Sequence, residues 1–421
     1  MNASDAVPHA RALTVSNARA LTVTPARLEA RIDLDALRSN VRRLREIAAP
    51  AQVMAVVKAD AYGHGMVPCA RAALEAGATW VGTAVPEEAL ALREAGITAP
   101  ILTWLHAPGD DFEALVLAGI DVSVSGQWAL HAILEAVERT GRPARIQLKA
   151  DTGLGRNGVQ PLEWPLVVDE AVKAERDGLL RITGVWSHFA CADEPGHPSI
   201  NRQLTAFHEA LEYAEAAGVR PEVRHIANSP AALSRPESRF DLVRCGVAMY
   251  GLSPAPEIGT PRDFGLRPVM SLIARLALVK RAPAGHGVSY GHKYHTDQET
   301  RLALIPAGYA DGVPRAASGL GPVSIGGRRY TIAGRVAMDQ FVVDLGPGCE
   351  TEPDPRVGDE AVLFGPGDGG TPTAQDWADA VDTIGYEIVT RIGPRVPRVY
   401  SGTADASDAG RQLRHSLAED A

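Results

Sequence analysis

The chain of 421 residues is too long for one ordinary hydrophobic core, so two domains are expected. Its net charge of −9 argues against general binding to nucleic acids or anionic membranes, which requires a basic face. Four cysteines without a CxxC pair argue against a disulfide framework or zinc ribbon and favour a reducing cytoplasm, and no apolar stretch approaches the ~18 residues of a membrane span.

Both ends of the chain are predicted to be disordered. Residues 1–26 repeat the hexapeptide Ala-Arg-Ala-Leu-Thr-Val and are interpreted as a mobile extension or a start-site artefact. Residues 402–421 are small, polar and charged, which is typical of a disordered tail. We expect neither end to carry chemistry.

Residues 27–265 alternate β-rich runs with alanine-rich helical runs. A helix is predicted over 35–47, and glycine stop signals end two further helices over 69–76 and 87–95. Eight strands separated by helices indicate an N-terminal (β/α)8 TIM-type barrel of the α/β class. The predicted strands cover 53–58, 79–84, 100–104, 121–125, 145–150, 181–187, 222–227 and 241–246.

A change of pattern near residue 266 predicts a second domain over 266–401. Helical periodicity fades, and short alternating runs appear between glycine and proline turns. This pattern is typical of a mostly-β domain. Its clearest strand candidates cover 272–279, 301–305, 329–336 and 361–364.

Polar side chains occur at the C-terminal ends of the predicted barrel strands, where the active sites of such barrels form. They are Lys58, Lys149, His188, Asn228 with Ser229, and Arg244 with Gly246. Any one alone is more often a solvated rim residue or a satisfied core group, but their convergence favours a site. A basic rim with a hydroxyl suggests a phosphate, and a lysine among cations suggests a nucleophilic amine. Together they point to pyridoxal phosphate held through a lysine Schiff base.

Two further motifs resemble those of other functional sites, but neither indicates such a site here. "GLGRNG" over 153–158 matches G-x-G-x-x-G, yet a dinucleotide fingerprint opens a helix in the first βα unit. Here the motif follows the fifth strand, and Pro161 marks the first helical turn after the motif has ended. "HKYH" over 292–295 is too sparse to indicate a metal site, so no metal is predicted.

Nine motifs, spread in order over residues 27–401, resemble those of the alanine racemase family. They are "AVVKADAYGHG", "LKADTGLGRNGV", "SHFACADE", "HIANSPAA", "DLVRCGVAMYGL", "GVSYG", "IPAGYADG", "GRVAMDQ" and "TIGYEI". The resemblance implies a cytoplasmic isomerase that interconverts L-alanine and D-alanine and supplies D-alanine for peptidoglycan. It also implies pyridoxal 5'-phosphate bound as a Schiff base at Lys58, and a homodimer with active sites shared across the interface.

Three alternatives stay open at this point. A broader-specificity amino-acid racemase acting on serine and a decarboxylase share the cofactor class. A non-catalytic pyridoxal-phosphate-binding barrel protein would need no second domain and no second base.

The resemblance implies two opposed catalytic bases, Lys58 and Tyr290 of the partner subunit. Inversion at Cα requires removal of a proton from one face and delivery of a proton to the other, so the bases must lie on opposite sides. The residues implied to hold the cofactor phosphate are Tyr62, Ser229, Gly246 and Val247 through their backbones, and Tyr386.

The remaining implied roles concern the cofactor ring and the substrate. His188 would lie against the ring, with Arg156 near the cofactor phenol and the substrate carboxylate. Arg244 would face the pyridine nitrogen and, because arginine keeps its proton, would leave the cofactor a weaker electron sink that favours racemisation over transamination. Further implied positions are His225 as the partner of Arg244, Tyr309 at the substrate entrance, Met338 and Asp339 at the substrate carboxylate, and Lys149, often carbamylated in the family, orienting Arg156. Ala337 departs from the family, which often has cysteine there.

Overall fold

The protein is described by a computed structural model that covers residues 26–348 and 354–402. The predicted N-terminal extension and C-terminal tail lie outside these ranges apart from the boundary residues Ala26 and Gly402, and Cys349 also lies outside. Within the two described ranges, no helix is both long enough and apolar enough to cross a membrane.

The N-terminal part is the predicted (β/α)8 barrel. Its strands are β2 (Gln52–Val56), β3 (Trp80–Thr83), β4 (Ile101–Thr103), β5 (Asp121–Val124), β6 (Ala144–Lys149), β7 (Leu180–Trp186), β8 (Val223–His225) and β9 (Leu242–Cys245). Strands β2 to β8 pair in parallel in sequence order, and β9 pairs with β2, so β8 and β9 are the two edges of the sheet. Two backbone hydrogen bonds, each to or from a residue just outside one of these strands, nearly close the barrel between them: Asp241 N donates to Arg224 O at 3.1 Å, and Arg244 N donates to Ala227 O at 3.0 Å.

Strand β2 is apolar from Val53 to Val56 because both of its faces are buried there. On β2, Met54 and Val56 belong to a small cluster with Trp186, whereas Val53 and Ala55 pack into the large core that includes the helices. This alternation is the two-residue period of a strand. It explains why the sequence reads as an unbroken hydrophobic run.

The helices α1 (Leu34–Ala48), α2 (Met66–Glu75), α3 (Pro86–Glu94), α4 (Phe112–Leu117), α5 (Gln127–Thr140), α6 (Trp164–Arg176), α7 (Ser199–Ala217) and α8 (Ser229–Ser234) accompany the barrel strands. Helix α1 begins where the Asp33 carboxylate accepts from the backbone N–H groups of Asp35 and Ala36. Helix α6 begins at Trp164, so Pro161 lies in the preceding turn rather than in the first helical turn.

The C-terminal part is mostly β, as predicted. Its strands are β10 (Met270–Arg275), β11 (Leu278–Ala282), β12 (Gly287–Val288), β13 (Tyr294–His295), β14 (Thr300–Ile305), β15 (Pro322–Ile325), β16 (Arg328–Thr331), β17 (Phe341–Asp344), β18 (Glu360–Phe364) and β19 (Arg398–Ser401), with helices α9 (Ala374–Ala380) and α10 (Gly385–Thr390). The single strand predicted over 272–279 is two strands. The chain changes sheets between them, since Leu276 N donates to Asp359 O while Ala277 N donates to Leu304 O.

The first strand of the chain, β1 (Leu28–Asp33), was not predicted and does not lie in the barrel. It pairs antiparallel with β10 and parallel with β19, within the six-stranded sheet β16-β15-β18-β10-β1-β19. The sequence places residues 27–265 in the barrel domain, whereas these first residues are bonded to strands from the other end of the chain. Local pattern cannot reveal a partner so distant in sequence.

Candidate active site

A cavity of about 330 Å³ opens at the C-terminal ends of the barrel strands. Ten of the predicted site residues line it: Lys58, Tyr62, Lys149, Arg156, His188, Ser229, Arg244, Gly246, Val247 and Tyr386. Parallel strands bring their C-terminal ends to one face of a barrel, which is why residues far apart in sequence meet here. The remaining wall is largely apolar and aromatic, with Val56, Trp104, Trp186 and Phe189 among its members.

Lys58 lies just beyond β2, on an unusual turn rather than at the strand end. Strand β2 ends at Val56, and the four residues Ala59, Asp60, Ala61 and Tyr62 all have φ between 52° and 56°. This left-handed turn carries Tyr62 into the cavity, where its ring centroid lies 5.0 Å from that of Tyr250 and 6.4 Å from that of Tyr386. Burial raises the pKa values of the Tyr62 and Tyr386 phenols, so both stay protonated as hydrogen-bond donors.

The cationic side chains of the cavity are electrostatically coupled. Burial lowers the pKa of Lys58, and the nearby Arg156 and Arg244 lower it further. Burial, Arg244 and Arg156 likewise lower the pKa of Lys149 to about 7, and the pKa of His188 falls well below its usual value for the same reasons. His188 is therefore neutral at neutral pH, and the two lysine amines are easier to deprotonate than solvated lysines.

Arg244 is fixed by a buried hydrogen-bond network. Its guanidinium donates to Ser187 O at 2.8 Å and Ile226 O at 3.0 Å, and it bonds His225 Nδ1 at 2.9 Å. His225 Nε2 continues the chain to Gln147 Oε1 at 2.7 Å. Burial lowers the pKa of Arg244 to about 9, which leaves the guanidinium charged at neutral pH. His225 thus contacts Arg244 from behind the cavity wall, without lining the cavity.

Trp186 is a site residue that sequence reasoning missed. Its ring lies 4.4 Å from Lys149 Nζ and 4.8 Å from Arg244 Cζ, and it stacks on the His225 ring at 5.5 Å. These distances are typical of cation–π contacts. Trp186 closes β7 two residues before His188, and that strand-end position was the available signal.

Ser229 and Gly246 form a small polar corner of the cavity. Ser229 Oγ accepts from Gly246 N at 3.0 Å and lies 3.5 Å from Ala248 N, so its hydroxyl hydrogen is free to point elsewhere. A Cβ atom on Gly246 would lie only 2.4 Å from the Tyr62 hydroxyl oxygen. Only glycine therefore lets Tyr62 approach this corner.

Four predicted site residues lie outside the cavity, in the C-terminal part. Tyr290, Tyr309 and Met338 are 70%, 42% and 52% exposed, and Asp339 pairs with Arg395 at 2.8 Å. The Tyr309 and Met338 loops run side by side, joined by bonds from Tyr309 N to Ala337 O and from Ala310 N to Met338 O. Lys58 and Tyr290 are therefore not brought together within one chain.

Metal-binding groups are not assembled in the part of the chain that the structure describes. There, no three His, Cys, Asp or Glu side chains come together in a way that could hold an ion. The His292 and His295 rings lie 6.1 Å apart at right angles on the Tyr290 loop.

The barrel, its cationic cavity and the appended β part define a two-domain barrel enzyme with a site suited to an anionic ligand. Family models for the N-terminal and C-terminal domains of alanine racemase match residues 32–254 and 269–400. The chain belongs to the alanine racemase family and is an isomerase.

Individual relatives agree with this assignment. An alanine racemase from Streptomyces coelicolor is 65% identical over 379 residues, covering 89% of this chain and 96% of the relative. The crystal structure of alanine racemase from D-cycloserine-producing Streptomyces lavendulae has a TM-score of 0.89 and 62% identity, covering 91% of this chain and 99% of that chain. Alanine racemase from Bacillus anthracis with bound L-Ala-P has a TM-score of 0.81 and 36% identity, covering 90% and 96%.

Proposed function

We propose that this chain interconverts L-alanine and D-alanine with pyridoxal phosphate attached at Lys58. The observation that carries the proposal is the pairing, in one cavity, of a lysine of lowered pKa with a buried arginine that hydrogen-bonds three partners described above. When bound, the cofactor supplies the electron sink that weakens the Cα–H bond of an amino acid.

The residues present fit this cofactor. A cavity of about 330 Å³ is in the size range of small-ligand sites and suits a small aromatic phosphate. The Ser229 hydroxyl, the backbone N–H groups after Gly246 and the protonated Tyr62 and Tyr386 would hold the phosphate as donors. The lowered pKa of Lys58 favours the neutral amine that attachment requires.

Arg244 would donate a hydrogen bond to the ring nitrogen of the cofactor without releasing its proton. Its hydrogen bonds to Ser187 O and Ile226 O fix the guanidinium plane, and its charge persists despite burial. With arginine as its hydrogen-bond donor, a bound cofactor would keep its ring nitrogen unprotonated, which would favour prompt return of a proton to Cα. His188 would pack on the ring, and Arg156 would bind the substrate carboxylate.

Lys58 and Tyr290 of the partner subunit would serve as the two bases. The Tyr290 phenol is exposed and outside the cavity, so one chain contains only half of a two-base site. A second copy that covers the cavity mouth with its Tyr290, Tyr309 and Met338 would complete the site. This arrangement implies a homodimer with two shared sites.

Lys149 would carry a carbamate. The neutral amine attacks carbon dioxide, an N–C bond forms, the electron pair of one C=O bond moves to oxygen, and a proton leaves to solvent. The lowering of its pKa to about 7 makes the neutral amine abundant at neutral pH. The anion so formed would lie among Arg156 and Arg244, where a plain ammonium would be repelled.

This modification predicts a carbamate carbon resonance in the NMR spectrum of protein kept in ¹³C-bicarbonate. The signal should disappear in Lys149→Ala and persist in Lys173→Ala, which alters an exposed lysine on α6. A spectrum that is the same with and without Lys149 would contradict the assignment.

The proposed activity predicts interconversion of L- and D-alanine by the purified, cofactor-loaded protein, measured by chiral chromatography. The Lys58→Ala variant should show none, because both the attachment point and one base are lost. Serine, the next larger candidate, should be converted more slowly if the site is narrow, and a faster rate on serine would favour the broader-specificity racemase.

Two other outcomes would identify the remaining alternatives. Release of carbon dioxide would indicate a decarboxylase, and cofactor binding without any turnover would indicate a binding protein. If alanine is interconverted, the product D-alanine is the form that peptidoglycan synthesis in a bacterial cytoplasm requires, and this is the role we propose.

A further inference from the structure

The backbone that carries Lys58 adopts a conformation that its own residues disfavour. Ala59, Asp60, Ala61 and Tyr62 form one left-handed turn without a glycine among them. Each such residue costs ~1–2 kcal/mol, because Cβ crowds the following carbonyl oxygen. Strain of this kind persists only where the surrounding structure holds it.

The Glu88 carboxylate holds the start of this turn from a neighbouring βα unit. Glu88 lies in the first turn of α3, and its Oε1 accepts from Ala59 N at 2.6 Å. Its Oε2 accepts from Ala84 N at 2.9 Å and lies 3.4 Å from Val85 N. One charged group therefore ties the residue after Lys58 to the end of β3.

The other hydrogen bonds of the turn do not involve Ala59 N. Asp60 Oδ1 accepts from Met66 N at 2.7 Å, which fixes the junction with α2. Ala61 N donates to Val57 O at 2.7 Å. Ala59 N, the amide adjacent to Lys58, is bonded to Glu88.

We propose that Glu88 is a positioning residue that locks the left-handed turn and thereby aims the Lys58 amine into the cavity. The inference rests on the proposed function only in taking Lys58 as the reactive amine. Nothing in the contacts of Glu88 requires it to touch substrate or cofactor, because both of its oxygens are engaged with backbone N–H groups.

The charge of Glu88 also acts on Lys58. Arg156 from the loop after β6 and Arg244 from β9 lower the pKa of Lys58, and Glu88 from α3 opposes them. Two other charged side chains line the cavity: Lys149 is itself affected by Lys58, and Asp193 raises the pKa of Tyr386. Loss of the Glu88 charge should therefore lower the pKa of Lys58 further.

Two substitutions separate hydrogen bonding from charge. Glu88→Gln keeps the shape and one carbonyl acceptor but removes the charge, and Glu88→Ala removes both. Glu87→Gln is the matched control, because Glu87 lies in the same helical turn and is exposed.

Three measurements on the full-length chain test the proposal without relying on turnover, and the first two use its cofactor-free form. The first is the pH profile of Lys58 acylation, followed on its peptide by mass spectrometry, and it should move to lower pH in both Glu88 variants. The second is amide hydrogen exchange across 58–63, which should quicken about tenfold or more in Glu88→Ala, as expected when a charged acceptor is lost. The affinity for pyridoxal phosphate should fall about tenfold in parallel, and Glu87→Gln should change none of these.

Two combinations of results would contradict the proposal that Glu88 positions Lys58. Unchanged acylation and exchange in both Glu88 variants would overturn the proposal, and faster exchange with an unchanged acylation profile would assign Glu88 a purely structural role and also contradict it. If Glu88→Ala does not fold, the isosteric Glu88→Gln still reports the acylation shift. Failure of the chain to interconvert alanine would contradict the proposed function while leaving both measurements on Glu88 valid.

Discussion

Arg244→Glu is expected to lower kcat/KM for alanine racemisation by about 10³-fold or more, equivalent to ~4 kcal/mol of transition-state stabilisation. Arg244 is only 5% exposed, and its guanidinium donates to the Ser187 and Ile226 carbonyl oxygens. A carboxylate there would face those oxygens without a proton to offer, and it would stabilise a protonated ring nitrogen by accepting its hydrogen bond. The measurement is initial rate in both directions, together with the fraction of turnovers that end in amino-group transfer to the cofactor.

Loss of the fold must be distinguished from loss of the hydrogen-bond donor, because leaving buried partners unpaired can itself cost ~3–5 kcal/mol of stability. Arg244→Gln retains amide donors for the carbonyl oxygens without the charge and should keep more activity than Arg244→Glu. The melting temperatures and cofactor absorbance of both variants show whether each still folds and binds. Turnover like that of the unmodified chain in Arg244→Glu would refute the role given to this residue.

The barrel is predictable from sequence because its elements are local. Strand β2 and helix α2 follow from an apolar run, a helical period and a glycine stop, all within 25 residues. Strand β1 carries no such information about its partners, which are β10 and β19 hundreds of residues away. Its membership of the far sheet is a consequence of tertiary packing, and only the structure shows it.

The candidate site, like the fold, is predictable from the sequence only in part. The rule that strand ends converge places Lys58, His188 and Arg244 together without any structure, and the cavity contains all three. The rule gives no sign that Ala59–Tyr62 turn left-handed, since none of those residues is glycine. Glu88 was missed for a related reason: it reads as an ordinary acidic residue in the first turn of a helix, and its bond to Ala59 crosses between two βα units.

Tyr290 lies on the surface of the chain and Lys58 lies in a cavity. We therefore expect complete active sites only where two copies of the chain meet. Homodimers of Lys58→Ala and of Tyr290→Phe should each be inactive or nearly so, because every site lacks one base. Mixed dimers, purified by a different tag on each chain, should recover about half of the activity of the unmodified dimer. In a two-fold dimer, the chain that keeps Lys58 then meets the intact Tyr290 of the partner subunit.

The matched control places both substitutions on one chain and pairs it with an unmodified chain. If Tyr290 acts across the interface, the intact Lys58 faces a partner subunit without the phenol, the other site has no lysine, and this dimer should be inactive. If Tyr290 served the Lys58 of its own chain, the two results would exchange: the control dimer would keep about half of the activity and the first mixed dimer would have none. Activity in the control dimer and none in the complemented dimer would therefore contradict the shared site and place both bases on one chain.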